Sequence, residues 1–122
     1  MQGVENPESG LRSADTKPRL AKRSIDRSDI NVFRTPVLRA LSDETRQGII
    51  ILLGKHKSLC VNDLAAYFNV SRPTVSHHLS VLREAKMILG KKSGKEIYYS
   101  LNLRYIRRTM KNLLRLVDTL DL

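Results

Sequence analysis

Apolar residues recur at helical spacing through most of the chain, but not at its start. Residues 1–31 are polar, mixed in charge and broken by Gly3, Pro7, Gly10 and Pro18. They predict a flexible tail, with a short helix around 20–25 only if docked. From residue 32 the pattern predicts one ordered domain, 32–122. Thr35 and Pro36 read as the cap and first turn of a helix whose Val37, Leu38 and Leu41 share a face. Ser42 and Asp43 offer a cap to a second helix, 44–53, with Ile49, Ile50, Leu52 and Leu53 as core candidates and Gly54 as its end. A third helix, 58–68, spaces Leu59, Val61, Leu64, Ala65 and Phe68 along one side. Asn69 suits a left-handed close to that helix. Ser71 caps a fourth helix, 71–85, which buries Val75, Leu79 and Leu82. After Lys86 the period shortens to two. Residues 87–89 and 96–101 then read as strands around a basic turn, 90–95. A last helix, 105–120, carries Ile106, Met110, Leu113, Val117 and Leu120 at steps of four and three, a heptad stripe. The expected fold is mostly α with a small β-hairpin, about five helices and two strands.

Composition narrows the class. With 122 residues there is room for one modest core, and the absence of Trp makes that core aliphatic. The net charge of +10 suits a polyanionic partner. Its distribution is more telling: residues 72–108 hold nine Lys or Arg against two acids, Glu84 and Glu96. Lys17, Arg19, Lys22, Arg23 and Arg27 make a DNA-contacting arm conceivable, but nearby acids leave the tail close to neutral. A single cysteine, Cys60, excludes an internal disulfide and suits a reducing compartment. The longest apolar run, residues 49–53, is too short to span a membrane, and no secretory apolar segment opens the chain. A cytoplasmic location is expected.

The third and fourth helices, joined by a tight turn, have the pattern of a helix-turn-helix. A recognition helix needs short polar donors on its outer face and an apolar face to anchor it. Ser71, Arg72, Thr74, Ser76, His77 and His78 supply the donors, and Val75, Leu79 and Leu82 the anchor. Small Thr74 and Ser76 allow entry into a major groove about 12 Å wide. The helix N-terminus adds backbone donors for a phosphate. An ordinary surface helix could also look like this. The hairpin favours the DNA reading, since Lys91, Lys92 and Lys95 stand where a wing would flank the groove. Such a winged helix-turn-helix would bind double-stranded DNA through 71–85 and the 90–96 wing.

Three stretches carry a family resemblance: Leu41-Ser42-Asp43-Glu44-Thr45-Arg46, Val70-Ser71-Arg72-Pro73-Thr74-Val75-Ser76-His77-His78-Leu79-Ser80-Val81-Leu82-Arg83-Glu84-Ala85, and Tyr98-Tyr99-Ser100-Leu101-Asn102. Together they resemble the ArsR-type (arsenic-repressor) winged-helix regulators. The resemblance implies a homodimer that joins through its first and last helices, binds a palindromic operator and represses transcription. The Val37, Leu38, Leu41 face and the stripe of Ile106, Met110, Leu113, Val117 and Leu120 agree with such an interface. A last helix packed only on its own core is the alternative.

The resemblance also directs a search for a metal sensor. One family site uses Cys-x-Cys within Cys-Val-Cys-Asp-Leu, but here the stretch reads Cys60-Val61-Asn62-Asp63-Leu64. A single thiolate cannot build a thiol-rich site. The other common site needs His on the last helix, which offers only Asp118 and Asp121. His56 and Cys60 remain as a non-standard pair of candidates, against a buried structural Cys60 and an exposed loop His56. Adjacent His77 and His78 point apart on a helix and cannot chelate together. A Cys60 redox switch would lack a resolving cysteine in its own subunit. No metal site, cofactor or small-molecule ligand is therefore expected.

Two other classes fit less well. Gly90-Lys91-Lys92-Ser93-Gly94-Lys95 is one residue short of a phosphate loop, with Glu96 where Ser or Thr should stand. No catalytic pairing accompanies it, so an enzyme is not expected. An RNA- or protein-binding winged helix would use stacked aromatics or shape, and only Tyr98 and Tyr99 lie near the basic region.

Overall fold

The computed structural model describes residues 26–120. The expected tail up to residue 25, its short helix at 20–25 and its basic cluster before Arg27 lie outside the described residues. The chain divides into two units at Ile30 and Asn31, and the fold below, apart from the first residues of its first helix, belongs to the second, Asn31–Leu122. Helix starts earlier than the pattern suggested, with α1 at Arg27–Phe33. It is followed by α2 (Pro36–Ala40), α3 (Glu44–His56), β1 (Leu59–Cys60), α4 (Val61–Phe68), α5 (Arg72–Glu84), β2 (Ile88–Ser93), β3 (Glu96–Leu101) and α6 (Leu103–Leu120).

The expected caps are made by the expected residues. Thr35 Oγ1 accepts the Val37 N–H at 3.4 Å, Asp43 Oδ2 that of Arg46 at 3.0 Å, and Ser71 Oγ that of Thr74 at 3.3 Å. Each satisfies one donor that the first helical turn leaves unpaired. Asn69 closes α4 in the left-handed conformation, φ 53°, and its N–H returns to Ala65. The α4–α5 turn is thereby held at both ends.

Gly54 does not end α3. The helix continues to His56, and Lys57, at φ 67° and ψ −48°, closes it with its N–H on Leu53 O. A glycine within a helix costs only about 1 kcal/mol, which the surrounding packing offsets. The predicted helix 58–68 is also shorter, because Leu59 and Cys60 pair with Tyr99 and Tyr98 as a strand. Two residues with half-buried or buried side chains satisfy either period, and the edge of β3 decides in favour of the strand. The sheet consequently has three strands, ordered β1-β3-β2, rather than two.

The hairpin is longer and its turn tighter than the predicted 90–95 loop. Ser93 pairs with Glu96, so Gly94 and Lys95 alone form the turn. Gly94 has φ +64°, the conformation that a type II′ turn requires at its first central position. Gly90 leaves space for the ring of Tyr99 on the paired strand: a Cβ there would sit 3.2 Å from Tyr99 Cε1 and 3.0 Å from Ile97 Cγ2.

The core joins α2, α3, α4 and α5 to the base of the sheet. Val37, Ile49, Leu64, Val75 and Leu82 have no exposed surface, and Leu53, Leu79, Met87 and Ile88 have almost none. Each such side chain contributes about 1.5–3 kcal/mol on burial. Among the described residues no polar side chain is buried. Val37 is a correction to the expected dimer face: wholly enclosed in this core, it has no surface to offer a second copy. On α6, Ile106 and Met110 pack partly against the core, while Val117 and Leu120 are 48% and 60% exposed.

Candidate nucleic-acid interface

The recognition helix is fixed from behind and open in front. Val75, Leu79 and Leu82 hold the inner face of α5 in the core. Ser76, His77 and Ser80 are exposed on the other. Ser71 and Thr74 engage each other, hydroxyl to hydroxyl at 2.9 Å, so at the N-terminus they serve the cap first. Arg72 is exposed, and its Nη1 donates to Asn62 Oδ1 of α4 at 2.6 Å.

His78 does not join this outer face. Its side chain is only 13% exposed, and Nδ1 lies 3.2 Å from Arg46 Nη1 and 3.8 Å from Asp43 Oδ2 of α3. One residue on from His77 turns the ring about 100° around the helix, which brings it inward. Burial pushes the His78 imidazole below its usual range; Asp43 opposes this, and Arg46 and His77 add to it.

The wing lysines also separate. Residues paired across an antiparallel ladder share a face. Lys92 opposite Ile97 follows Gly90 opposite Tyr99, on the side packed toward α5. Lys91 opposite Tyr98 lies on the other side, where it lines a 420 Å³ groove with Ser58, Ser93, Tyr98 and Ser100. Lys95 stands in the turn itself. Thus the three cations expected in one loop occupy two faces and the tip. A groove of 290 Å³ between helix and wing is lined by Ser76, Ser80, Arg83, Glu84 and Tyr99. Ser80 and Arg83 were legible as polar positions one turn and two turns beyond Ser76; Tyr99 was not, because only strand register shows which tyrosine faces the helix.

The residues where a sensor was sought have other partners. Asp63 Oδ2 accepts both the Cys60 N–H, at 3.0 Å, and the Cys60 thiol, at 3.2 Å. Those two hydrogen bonds hold the Asp63 carboxyl below its usual range. Cys60 is 5% exposed, and Asn62 points to Arg72, so this donor set does not fit a thiol-rich metal site. His56 is exposed, with its ring 6.1 Å from that of Tyr67. Among the described residues no three His, Cys, Asp or Glu side chains are grouped to hold a metal ion. Nor is any described helix long and apolar enough to cross a membrane.

A capped recognition helix seated on a three-helix core, followed by a basic hairpin, defines a winged helix-turn-helix DNA-binding protein. Residues 43–88 match the family model of the bacterial regulatory proteins of the arsR family. The chain is 38% identical over 85 residues to the transcriptional repressor SdpR of Bacillus subtilis (strain 168), covering 70% of this chain and 93% of that protein. It is 42% identical over 72 residues to the arsenical resistance operon repressor of Escherichia coli (strain K12), covering 57% and 62%. An ArsR-like transcriptional regulator from Rhodococcus sp. RHA1 has a similar structure, with TM-score 0.65, 32% identity and coverage of 70% and 80%. The chain belongs to the ArsR family, and it is a DNA-binding transcriptional regulator.

Proposed function

We propose that the protein is a homodimeric repressor of a palindromic operator, and that it acts by binding, not catalysis. The observation that carries this reading is the division of α5, with Val75, Leu79 and Leu82 buried and Ser76, His77 and Ser80 outward. In this reading α5 enters the major groove and the Ser76 and His77 side chains read base edges. Arg72, Lys92 and Lys95 hold phosphates on either side, with Lys91 a lesser contact because of its face. Ser71 and Thr74 act mainly through the cap, and His78 through the fold.

The dimer would form on α6 and neighbouring surface. Leu103, Leu114, Val117 and Leu120 are each about half exposed or more, beside the partly buried Ile106, Met110 and Leu113. Leu38 and Leu41 are half-buried and border the core. A row of large apolar side chains on one helix is better covered by a second copy than left in water. Repression follows the named functions of SdpR and the E. coli repressor. The reading includes no metal sensor, since the Cys60 neighbourhood does not fit one.

Fluorescence anisotropy tests this with chelator-treated protein, a duplex from the DNA upstream of its own gene, and a scrambled duplex. The expected result is salt-sensitive preference for the first duplex, two protomers per site, and no release by zinc, cadmium or arsenite. Equal affinity for both duplexes would overturn the operator reading. Release by one metal would overturn the sensor-free reading and return attention to His56 and Cys60.

A further inference from the structure

Arg46 joins three helices. Its Nε donates to the Ala40 carbonyl at the end of α2, at 2.7 Å, and its Nη1 reaches His78 Nδ1 on α5, at 3.2 Å. Its own backbone N–H is held by Asp43. A guanidinium carries donors only, so the Nδ1 that faces it must present a lone pair. His78 is therefore neutral in this arrangement, with its proton on Nε2. We propose that Arg46 and neutral His78 are positioning residues for DNA recognition, and that protonation of His78 unseats α5 and weakens sequence preference. This inference rests on the reading of α5 as the recognition helix.

A proton on Nδ1 would set two donors against each other. The bond to Arg46 is then lost, and the ring is drawn toward Asp43 Oδ2, now 3.8 Å away. The groups that bear on the ring are Asp43 and Arg46 from α3 and His77 from α5, whose ring lies 5.7 Å off, while α2 offers the Ala40 carbonyl through Arg46. Burial favours the neutral form, and Asp43 supplies the alternative partner once the ring is charged. His77, Ser76 and Ser80 are on the same short helix, so a change in the seat of His78 alters how they are presented.

The sign of the effect is distinctive. Acidification ordinarily tightens binding of a basic protein to DNA, through added positive charge. The Arg46–His78 device instead lowers the ratio of specific to scrambled affinity as pH falls.

The test uses the full chain and a duplex that it selects for itself from a random library at about pH 8. Anisotropy then follows that duplex and a scrambled one from about pH 8 to about pH 5.5, at constant ionic strength. The preference is expected to fall about tenfold, the scale of losing a hydrogen bond to a charged group. His78→Asn offers an acceptor near the place of Nδ1 and does not titrate, so it should keep the preference and flatten the profile. A wild-type preference that stays constant or rises on acidification would overturn the proposal. So would an Asn variant as pH-dependent as the wild type. Imidazole 15N shifts of the DNA-free wild-type protein supply a second measurement that needs neither a variant nor an operator. They should report a bare Nδ1 at His78 at about pH 8, and a protonated Nδ1 there would overturn the proposal. Failure to select any duplex, with the bare Nδ1 observed, would overturn the operator reading and with it the role in recognition, while the Arg46–His78 contact would stand.

Discussion

Arg72, at the first turn of the recognition helix, donates through Nη1 to Asn62 of the preceding helix at 2.6 Å. A cation at a helix N-terminus is poorly placed with respect to the helix dipole. Asn62 supplies an acceptor that offsets this and directs the guanidinium along the open side of the turn. The same asparagine stands where the Cys-x-Cys pattern of the resemblance would have its second cysteine. One residue thus removes a thiol and orients an arginine.

This relationship predicts different phenotypes for its two members. Arg72→Ala should weaken specific and scrambled duplexes alike and reduce the salt slope by about one, as expected for a lost phosphate contact. Asn62→Ala should leave the slope unchanged and cost about 0.5–1 kcal/mol in stability, because the pair is exposed. Salt titrations of both variants check this. An Arg72→Ala loss confined to one sequence would make Arg72 a base reader instead.

The division of the helix and wing makes a second prediction. Ser76→Ala and His77→Ala should lower preference for the cognate duplex by about 1–3 kcal/mol where a good base contact is lost. Lys92→Ala and Lys95→Ala should weaken all duplexes and flatten the salt slope, with Lys91→Ala least affected of the three lysines. Parallel anisotropy measurements on cognate and scrambled DNA decide it. A loss for Lys91→Ala equal to that for Lys92→Ala would contradict the face assignment from strand register.

What could be read in advance depended on range along the chain. Caps are local, and Thr35, Asp43, Ser71 and Asn69 all perform the roles that their side chains suggest. The buried side of α5 follows from a helical period repeated over several turns. The end of α3 and the start of α4 were misplaced, because Lys57 takes a positive φ better suited to glycine and the β1 pairing depends on residues near 98. The inward turn of His78 was hidden for a similar reason: its partners Arg46 and Asp43 are remote in sequence. Lys91 and Lys92 look equivalent in a basic string until the turn is known to contain only Gly94 and Lys95.

Lys86 provides a stability test. It follows α5 at φ 63°, with its N–H on Arg83 O at 2.9 Å and the Met87 N–H on Leu82 O at 3.0 Å. These are the two hydrogen bonds of a Schellman motif, at whose left-handed position glycine is usual. Lys86→Gly should stabilise the fold by about 0.5–1 kcal/mol, relief of side-chain strain being partly offset by greater freedom of the unfolded chain. Loss of the Lys86 ammonium 5.9 Å above Tyr105 reduces the gain slightly. Urea unfolding measures the difference, and a destabilised variant would show that the Tyr105 contact outweighs the strain.

Cys60 should behave as a structural thiol. With 5% exposure and its hydrogen directed at Asp63, it should react with a bulky disulfide reagent only as fast as the fold opens. Full reaction is expected in denaturant. Rapid native-state reaction would identify an accessible thiol and revive the pairing of Cys60 with His56.

Acid should weaken the fold in two separate ranges. The ordinary imidazole value is 6.5, and that of His78 is lowered in the folded chain, first by burial. Below 6.5 the unfolded chain therefore takes up this proton before the folded one does. Stability is complete above 6.5, falls as pH decreases, and levels once the folded ring is also charged. Asp43 and Asp63 act further down. Their carboxyls are lowered from 3.8 chiefly by the backbone N–H groups of Arg46 and Cys60, so their contribution is present above 3.8 and disappears as pH falls toward the folded values. Urea midpoints measured across both ranges should show two declines, and His78→Asn should remove only the upper one. A midpoint that instead rose between pH 7 and pH 5.5 would mean that the folded chain prefers a charged His78. Its controlling partner would then be Asp43, and Arg46 would hold α5 only through the backbone of α2.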